Sequence, residues 1–136
     1  MNKIVITVLG LVLLLGASSF MQDPKKASIT RGQEVYVNYC QSCHMEKGEG
    51  VDGSFPPLAK ADYLMKDPKR AINIILKGQN EEIRVNGKVY NMMMAEQSYL
   101  TDEQVADVVN YISNSWGNSY KTLITPAMVK ATRPKE

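Results

Sequence analysis

Residues 39–46 read YCQSCHME and contain both cysteines of this 136-residue chain and its single histidine. The three side chains all fall between Cys40 and His44. Thiols and imidazoles are the groups that proteins use to bind metals, to run redox chemistry and to attach cofactors. The spacing C-x-x-C-H therefore indicates where the functional site lies, and the rest of the chain can be interpreted around it.

Three interpretations of this motif each leave something unexplained. A redox-active C-x-x-C pair is expected after a strand in a β-α-β pattern, and no such strand precedes Cys40. A structural zinc site needs four ligands, so carboxylates would have to complete a site built on Cys40, Cys43 and His44. A structural disulfide between cysteines this close stabilises little, because it closes a very short loop, and it gives His44 no role.

Covalent haem attachment accounts for all three residues. In C-x-x-C-H the two thiols add across the haem vinyl groups as thioethers, and the adjacent histidine becomes the proximal iron ligand. We therefore expect Cys40 and Cys43 to attach one haem c and His44 to ligate its iron. The motif is short enough to arise by chance, so the other interpretations stay open at this point.

The N-terminus has the pattern of an export signal. Lys3 precedes an almost unbroken apolar run over residues 4–15, and small residues follow at 16–19. The apolar run is shorter than the roughly 20 residues that span a bilayer. We predict a signal peptide over residues 1–19 that directs the protein to the periplasm, with an uncleaved membrane anchor as the alternative.

The remaining chain divides into three parts by composition. The stretch over residues 22–31 is mostly polar, and we predict a flexible lead-in over residues 20–29. Apolar periodicity over residues 30–117 predicts one small folded domain. The periodicity fades over residues 118–136, which predicts a C-terminal tail.

Charge is distributed unevenly between these parts. Residues 30–117 have twelve acidic against nine basic side chains, and residues 118–136 have four basic side chains against one acidic. A mildly acidic domain is therefore followed by a basic tail. No face of the domain concentrates basic and aromatic residues, so nothing supports nucleic-acid binding.

The segments on either side of the motif have different predicted structures. Thr30 and Gln33 form a capping-box pattern, which predicts a first helix that leads into Cys40. Residues 48–61 are rich in glycine and proline, so they predict a loop that packs against the domain.

Cap and turn signals predict the second half of the domain. Asp67-Pro68 predicts the start of a second helix, and Gly78 predicts its end. Asn86-Gly87 favours a tight hairpin turn. A capping box at residues 101–104 predicts a last helix that runs to about Ser115.

Taken in order along the chain, these features resemble the class I c-type cytochromes over residues 30–117. In that family a glycine and an aromatic residue of the first helix cross the last helix; Gly32 and Tyr36 stand there, and Val108 and Tyr111 match the opposing face. The resemblance implies an all-α fold, a small cytochrome c-like helical domain wrapped around one covalently bound haem. A short hairpin is expected before the loop of the axial methionine.

The family also has a Pro-x-Leu sequence after the haem motif, and Pro56 and Leu58 stand at the matching positions. The resemblance implies that the Pro56 carbonyl accepts a hydrogen bond from His44 Nδ1. That bond would leave Nε2 for the iron.

The resemblance places the distal ligand in YNMMMA, residues 90–95. Aligned with the form Tyr-Asn-Gly-x-Met-Pro, this segment puts Met94 on the iron and Ala95 in place of the usual proline. Met92 and Met93 are alternative ligands, and methionines also fill irregular gaps in cores.

Ligation by His44 and Met94 would leave no open position on the iron, which predicts an electron carrier rather than an enzyme. The resemblance extends to cytochromes that serve dehydrogenases, nitrite reductases and terminal oxidases of respiratory chains. Their domains have an ending similar to NSWGN, residues 114–118 of this chain. We therefore expect a periplasmic carrier, as a monomer or as a subunit of a redox complex. The alternative is a haem-based sensor or peroxidase-like enzyme with a displaceable sixth ligand.

Overall fold

The computed structural model describes residues 23–134, so the predicted signal peptide lies outside it. Its elements are, in chain order, α1 (Pro24–Tyr39), α2 (Gln41–His44), α3 (Asp62–Lys66), α4 (Arg70–Lys77), β1 (Ile83–Val85), β2 (Lys88–Tyr90), α5 (Asp102–Ile112) and α6 (Pro126–Thr132). The expectation of a small, mostly helical fold is confirmed. Across this range, no helix has the length and apolar character needed to cross a membrane.

Helix α1 begins at Pro24 and not at Thr30, so the predicted start was wrong. The Asp23 side chain accepts a hydrogen bond of 2.9 Å from the Lys25 amide, and proline at the first helical position suits the helix geometry. Residues 24–29, predicted as part of a flexible lead-in, are therefore helical. Ser28 among them is buried.

The central contact of the fold is the crossing of α1 and α5 at Gly32. A Cβ atom at this position would lie 2.0 Å from the Asp107 carbonyl oxygen and 2.8 Å from Tyr111 Cβ. Only a residue without a side chain lets the two backbones approach this closely. The predicted role of Gly32 in the crossing is confirmed.

Three aromatic side chains pack beside the crossing. The ring centroids of Tyr36, Tyr111 and Trp116 are 5.0–5.4 Å apart in tilted or edge-on arrangements. Tyr36 is almost fully buried, and its hydroxyl donates to the Met45 carbonyl at 2.6 Å. The cluster therefore connects the helix crossing to the residue that follows His44.

A buried polar network joins both ends of the described chain. Ser28 Oγ donates to Asp107 Oδ1, and Arg31 Nε donates to Asp107 Oδ2 at 2.6 Å. The Asn110 side chain donates to Ser28 Oγ at 2.9 Å and to the Ile124 carbonyl at 2.8 Å, and it accepts from the Ile124 amide at 2.9 Å. Every buried group in this chain of contacts has a partner, which is what burial of polar atoms requires.

Helix α6 lies where the sequence predicted a tail, so that prediction was wrong for this segment. Thr125 caps the helix by accepting from the Met128 amide at 3.4 Å, and Pro126 occupies the first turn. Ile124 and Val129 are almost completely buried against the rest of the domain. Burial of these two side chains explains why the segment is folded despite its weak apolar periodicity.

Helix α4 begins at Arg70, later than the predicted start at Asp67-Pro68. The Asp67 carbonyl accepts from the Arg70 amide at 3.1 Å, so these residues form a turn that leads into the helix. Gly78 ends α4 as predicted, with φ 76° and ψ −178°. This conformation is essentially restricted to glycine.

The predicted capping box at the start of α5 is present. Thr101 Oγ1 accepts from the Gln104 amide at 3.2 Å, and the Gln104 side chain accepts from the Thr101 amide at 3.0 Å. The helix ends at Ile112, earlier than the predicted end at Ser115. Most of α5 is buried because α1 and α6 pack on it and a third side borders the cavity described next.

The sheet is a two-stranded antiparallel pair in which Val85 lies opposite Lys88. Asn86 and Gly87 between them have φ values of 50° and 81°, as a type I′ turn requires. Asn86 also exchanges hydrogen bonds of 2.7 and 3.0 Å with Asp62, so the turn is tied to α3.

Candidate functional site

An apolar cavity of about 320 Å³ lies between the helices and the sheet. Its size is within the range of small-molecule and cofactor sites. Among the residues that line it are Cys40, Cys43, His44, Pro56, Leu58, Arg70, Ile75, Tyr90, Met92, Met93, Met94 and Val108. Every residue that the sequence marked as a ligand candidate therefore borders this one cavity.

The turn of helix α2 places the two thiols and the imidazole on the cavity wall. The Cys40 amide donates to the Tyr36 carbonyl at 2.9 Å, which ends α1, and the His44 amide donates to the Cys40 carbonyl at 2.9 Å. Cys40 is half-buried, Cys43 is exposed, and the two form no disulfide. Burial raises the pKa of Cys40 to about 12, so this cysteine is a neutral thiol at pH 7.

The imidazole of His44 is held by the loop that follows it. His44 Nδ1 lies 3.0 Å from the Pro56 carbonyl oxygen. Since a carbonyl can only accept, Nδ1 is the nitrogen that donates, and Nε2 keeps its lone pair. Burial lowers the pKa of His44 below its ordinary value against the opposing effect of this hydrogen bond, so the ring is neutral near pH 7.

We call residues 45–61 the histidine loop. It is closed by its own backbone: the Leu58 and Ala59 amides both donate to the Gly48 carbonyl, at 2.7 and 2.9 Å. The Asn118 side chain adds a bond of 2.8 Å to the Leu58 carbonyl. These contacts hold the Pro56 carbonyl in place beside His44.

We call residues 91–101 the methionine loop. The backbone of Met94 exchanges two hydrogen bonds with Gln79, of 2.8 and 2.9 Å, and the Gln97 amide donates to the Ile75 carbonyl at 2.7 Å. Met94 is half-buried, whereas Met92 and Met93 are 52% and 68% exposed. Of the three methionines, Met94 is therefore the one with a fixed backbone and a partly buried side chain.

Arg70 is a site residue that the sequence did not reveal. Its guanidinium stacks on the Tyr63 ring, 3.7 Å from the centroid, and donates to the Tyr63 carbonyl. Arg70 is the sole Lys or Arg among the described residues that line the cavity, and no ion pair to a carboxylate is found for it within residues 23–134. In the sequence it is one of many basic residues, and only the fold distinguishes it.

The properties of the cavity agree better with a covalently bound haem than with a redox-active cysteine pair or a zinc site. A redox-active C-x-x-C pair requires a lowered thiol pKa, but that of Cys40 is raised. In the part of the chain that the structure covers, no three His, Cys, Asp or Glu side chains are grouped to hold a metal ion such as zinc. Two thiols, a neutral imidazole and a thioether beside a large apolar space match the donor set of haem c.

The fold and the site thus define a helical protein that binds haem covalently, and comparison with known proteins agrees. A sequence model described as cytochrome c matches residues 29–116. The chain belongs to the cytochrome c family, as a class I c-type cytochrome. Membership implies one covalently bound haem c and a role in electron transfer.

Relatives of two kinds are similar to this chain. Cytochrome c-552 of Thermus thermophilus is 35% identical over 132 residues, which cover 91% of this chain and 84% of that protein. The cytochrome c subunit of a quinone-dependent alcohol dehydrogenase from Gluconobacter oxydans is 31% identical over 75% of this chain and 22% of the subunit. The cytochrome c subunit of gluconate 2-dehydrogenase from Pantoea cypripedii is 35% identical over 77% of this chain and 24% of that subunit.

Proposed function

We propose that this cytochrome carries single electrons through a haem c attached by Cys40 and Cys43, with His44 and Met94 as axial ligands. The observation that carries the proposal is that the two thiols, the imidazole and the Met94 side chain border one apolar cavity. Haem c supplies one-electron chemistry when it is bound. The residues of this chain hold it, exclude water and set its potential.

The two ligands are prepared by different contacts. The hydrogen bond from His44 Nδ1 to Pro56 fixes the ring orientation and the tautomer that leaves Nε2 for iron. The paired backbone of Met94 favours this residue over Met92 and Met93 as the thioether donor. With both positions filled, the iron has no site for a substrate, which supports a carrier rather than an enzyme.

Arg70 would supply positive charge for the carboxylates of a bound haem. Haem has two propionate groups, and a buried or half-buried anion requires a counter-charge or hydrogen bonds. Stacking on Tyr63 holds the guanidinium while leaving N–H groups available for an anion. Arg70 is the cation that the described chain offers at this cavity.

Denaturing electrophoresis tests covalent attachment directly. Protein made in cells with a haem-attachment system should give a band that stains for haem peroxidase activity, and its mass should exceed that of the chain by one haem. The Cys40→Ala, Cys43→Ala double variant should lose both signals. A colourless band from the unchanged protein would refute the proposed attachment.

We place the protein in the periplasm, exported by residues 1–19. The proposed donor is a dehydrogenase, which the names of similar cytochrome subunits support, and the alternative partners are a nitrite reductase and a terminal oxidase. N-terminal sequencing of the protein from a periplasmic extract should begin after the predicted signal. An intact N-terminus in the membrane fraction would favour the anchored alternative.

The haem-sensor alternative requires Met94 to leave the iron readily. The two hydrogen bonds between Met94 and Gln79 restrain it and so favour the carrier. Addition of carbon monoxide to the reduced protein separates the two functions. An unchanged spectrum is expected for the carrier, and formation of a carbon monoxide complex at neutral pH would favour the sensor.

A further inference from the structure

We propose that Arg133 is a positioning residue that holds the methionine loop so that Met94 stays directed into the haem cavity. The proposal rests on the proposed role of Met94 as distal ligand. Arg133 follows α6, in a segment beyond residues 29–116 that match the family model. The C-terminal extension of this chain would therefore act on the iron site without touching it.

The side-chain hydrogen bonds of Arg133 all end on the methionine loop or on the first residue of α5. Nη1 donates to the Ser98 carbonyl at 2.9 Å, and Nη2 donates to the Leu100 carbonyl. Nε donates to Asp102 Oδ1 at 2.6 Å. One planar fork thus holds three acceptors on both sides of the junction between the loop and the helix, in a fixed geometry that a flexible ammonium group lacks.

The segment that precedes Arg133 is held firmly against the domain. Val129 in α6 is fully buried, and the Asn110 side chain in α5 bonds to both backbone polar groups of Ile124 just before the helix. The Arg133 side chain is about seven-tenths buried, and its bonds to Asp102 and Leu100 are partly buried while the bond to Ser98 is exposed, so water competes least for Nε and Nη2. A guanidinium fixed in this way restrains the loop instead of following it.

The methionine loop needs such a restraint because few of its own bonds hold its second half. Met94 is paired with Gln79, and the Gln97 amide is bonded to Ile75. Within the second half, the Leu100 amide donates to the Gln97 carbonyl at 3.1 Å, and the Ser98 and Leu100 carbonyls accept from Arg133. Ala95 stands where the resemblance implies a rigid proline, so the loop has less local stiffness of its own.

The test compares two variants of the full-length haem-bound protein by titration with alkali. The loss of the methionine–iron charge-transfer band with rising pH reports displacement of the distal ligand, and far-ultraviolet circular dichroism reports the fold. Arg133→Gln should lose the band at a midpoint about one pH unit lower while its circular dichroism is unchanged. For a one-proton displacement this is about a tenfold change in equilibrium, or about 1.4 kcal/mol.

The matched control is Lys130→Gln, which removes the same charge from an exposed position of α6 and should leave the midpoint unchanged. Arg133→Lys keeps a charge beside Asp102 but loses the fork, so it should shift the midpoint in the same direction by less. It serves as the test variant if Arg133→Gln does not fold. Equal midpoints for the Arg133 variants and the control would overturn the proposal.

Hydrogen exchange of residues 95–101 gives a readout that does not depend on the ligand assignment. Exchange should be faster in Arg133→Gln by about the same factor as the spectral shift and unchanged in Lys130→Gln. Met94→Leu is measured in parallel. If it keeps the band, the ligand assignment fails, and faster exchange in Arg133→Gln would still support the positioning role; unchanged exchange would refute that role in either case.

Discussion

The histidine loop and the methionine loop reach the same cavity, but different kinds of contact hold them. The histidine loop closes on itself: the Gly50 amide donates to the His44 carbonyl at 3.1 Å, and Val51 pairs with Phe55. The methionine loop bonds mainly outward, to Gln79, to Ile75 and to Arg133. One proposed ligand is thus held mainly by neighbours in sequence and the other mainly by distant parts of the fold.

This difference predicts which of the two proposed ligands a perturbation should displace first. Local hydrogen bonds form and persist with their own segment, whereas a loop held from outside loosens whenever its supports move. We therefore expect Met94, the proposed distal ligand, to leave the iron before His44, the proposed proximal ligand, does. The following predictions test this, starting from the largest expected effect.

Replacement of Met94 by leucine should have the largest effect. The side chain keeps its volume and apolarity, so packing should cost under about 1.5 kcal/mol, but the sulfur is lost. The charge-transfer band should vanish and the potential should fall by on the order of a hundred millivolts, within the ~0.8 V range that axial ligands control. Met92→Leu and Met93→Leu are the controls, and loss of the band in one of them instead would move the ligand to that residue.

Gly32→Val should lower the free energy of unfolding by about 1 to 3 kcal/mol. The added side chain would meet the Asp107 carbonyl, so α1 and α5 must move apart. Because this crossing lies outside both loops, the charge-transfer band of the folded protein should be kept. Thermal unfolding measures the first effect, and an unchanged melting temperature would mean that the helices do not meet at this residue.

Gly78→Ala should disturb the methionine loop selectively. Its backbone conformation costs an alanine on the order of 1 to 3 kcal/mol, and the new Cβ would lie 2.6 Å from the Met94 carbonyl oxygen. The control is Gly53→Ala in the histidine loop, where φ is 74° and nothing described lies within 4 Å. On titration with alkali, Gly78→Ala should lose the charge-transfer band at a lower pH than the unchanged protein, and Gly53→Ala should not. Equal midpoints for the two variants would contradict the proposed difference between the loops.

The smallest effect is expected for Lys88→Met. Lys88 Nζ lies 2.8 Å from Asp52 Oδ2 and links the sheet to the histidine loop, but both side chains are mostly exposed. Hydrogen bonding to Lys88 lowers the pKa of Asp52, so the contribution of the pair, which solvent screening keeps small, is present at neutral pH and is lost as the pH falls through that lowered pKa. Denaturant midpoints of the two proteins should agree at neutral pH in physiological salt; a clear drop would show that this link supports the loop.

Features that depend on residues close together in the sequence were easier to predict than the ends of the fold, for a physical reason. The C-x-x-C-H spacing and the capping box at Thr101 depend on residues a few positions apart, so the chain itself shows them. Met94 could be chosen over its neighbours only with the help of a resemblance, because its pairing with Gln79 is made across the fold. The sequence gives no local sign of that pairing.

The two helix starts that the prediction missed share one signal. Asp23-Pro24 and Thr125-Pro126 each combine a capping side chain with a proline in the first turn. The prediction did not use that signal: polar composition led to a predicted lead-in for the first segment, and fading apolar periodicity led to a predicted tail for the second. The buried network of Ser28, Asp107 and Asn110, which stabilises both segments, exists only once the helices have packed.

The crossing at Gly32 also has a consequence for the order of events as the chain folds. The contact joins residues 32 and 107, so it closes a loop that contains the whole haem motif and both ligand loops. Contacts this distant in sequence form late, because the entropy of closing the loop must be overcome first. Until α5 has packed on α1, Tyr36 lacks its aromatic contact with Tyr111. Cys40 and Cys43 should therefore stay accessible until almost the entire domain has emerged, which gives an attachment enzyme time to act on the unfolded segment.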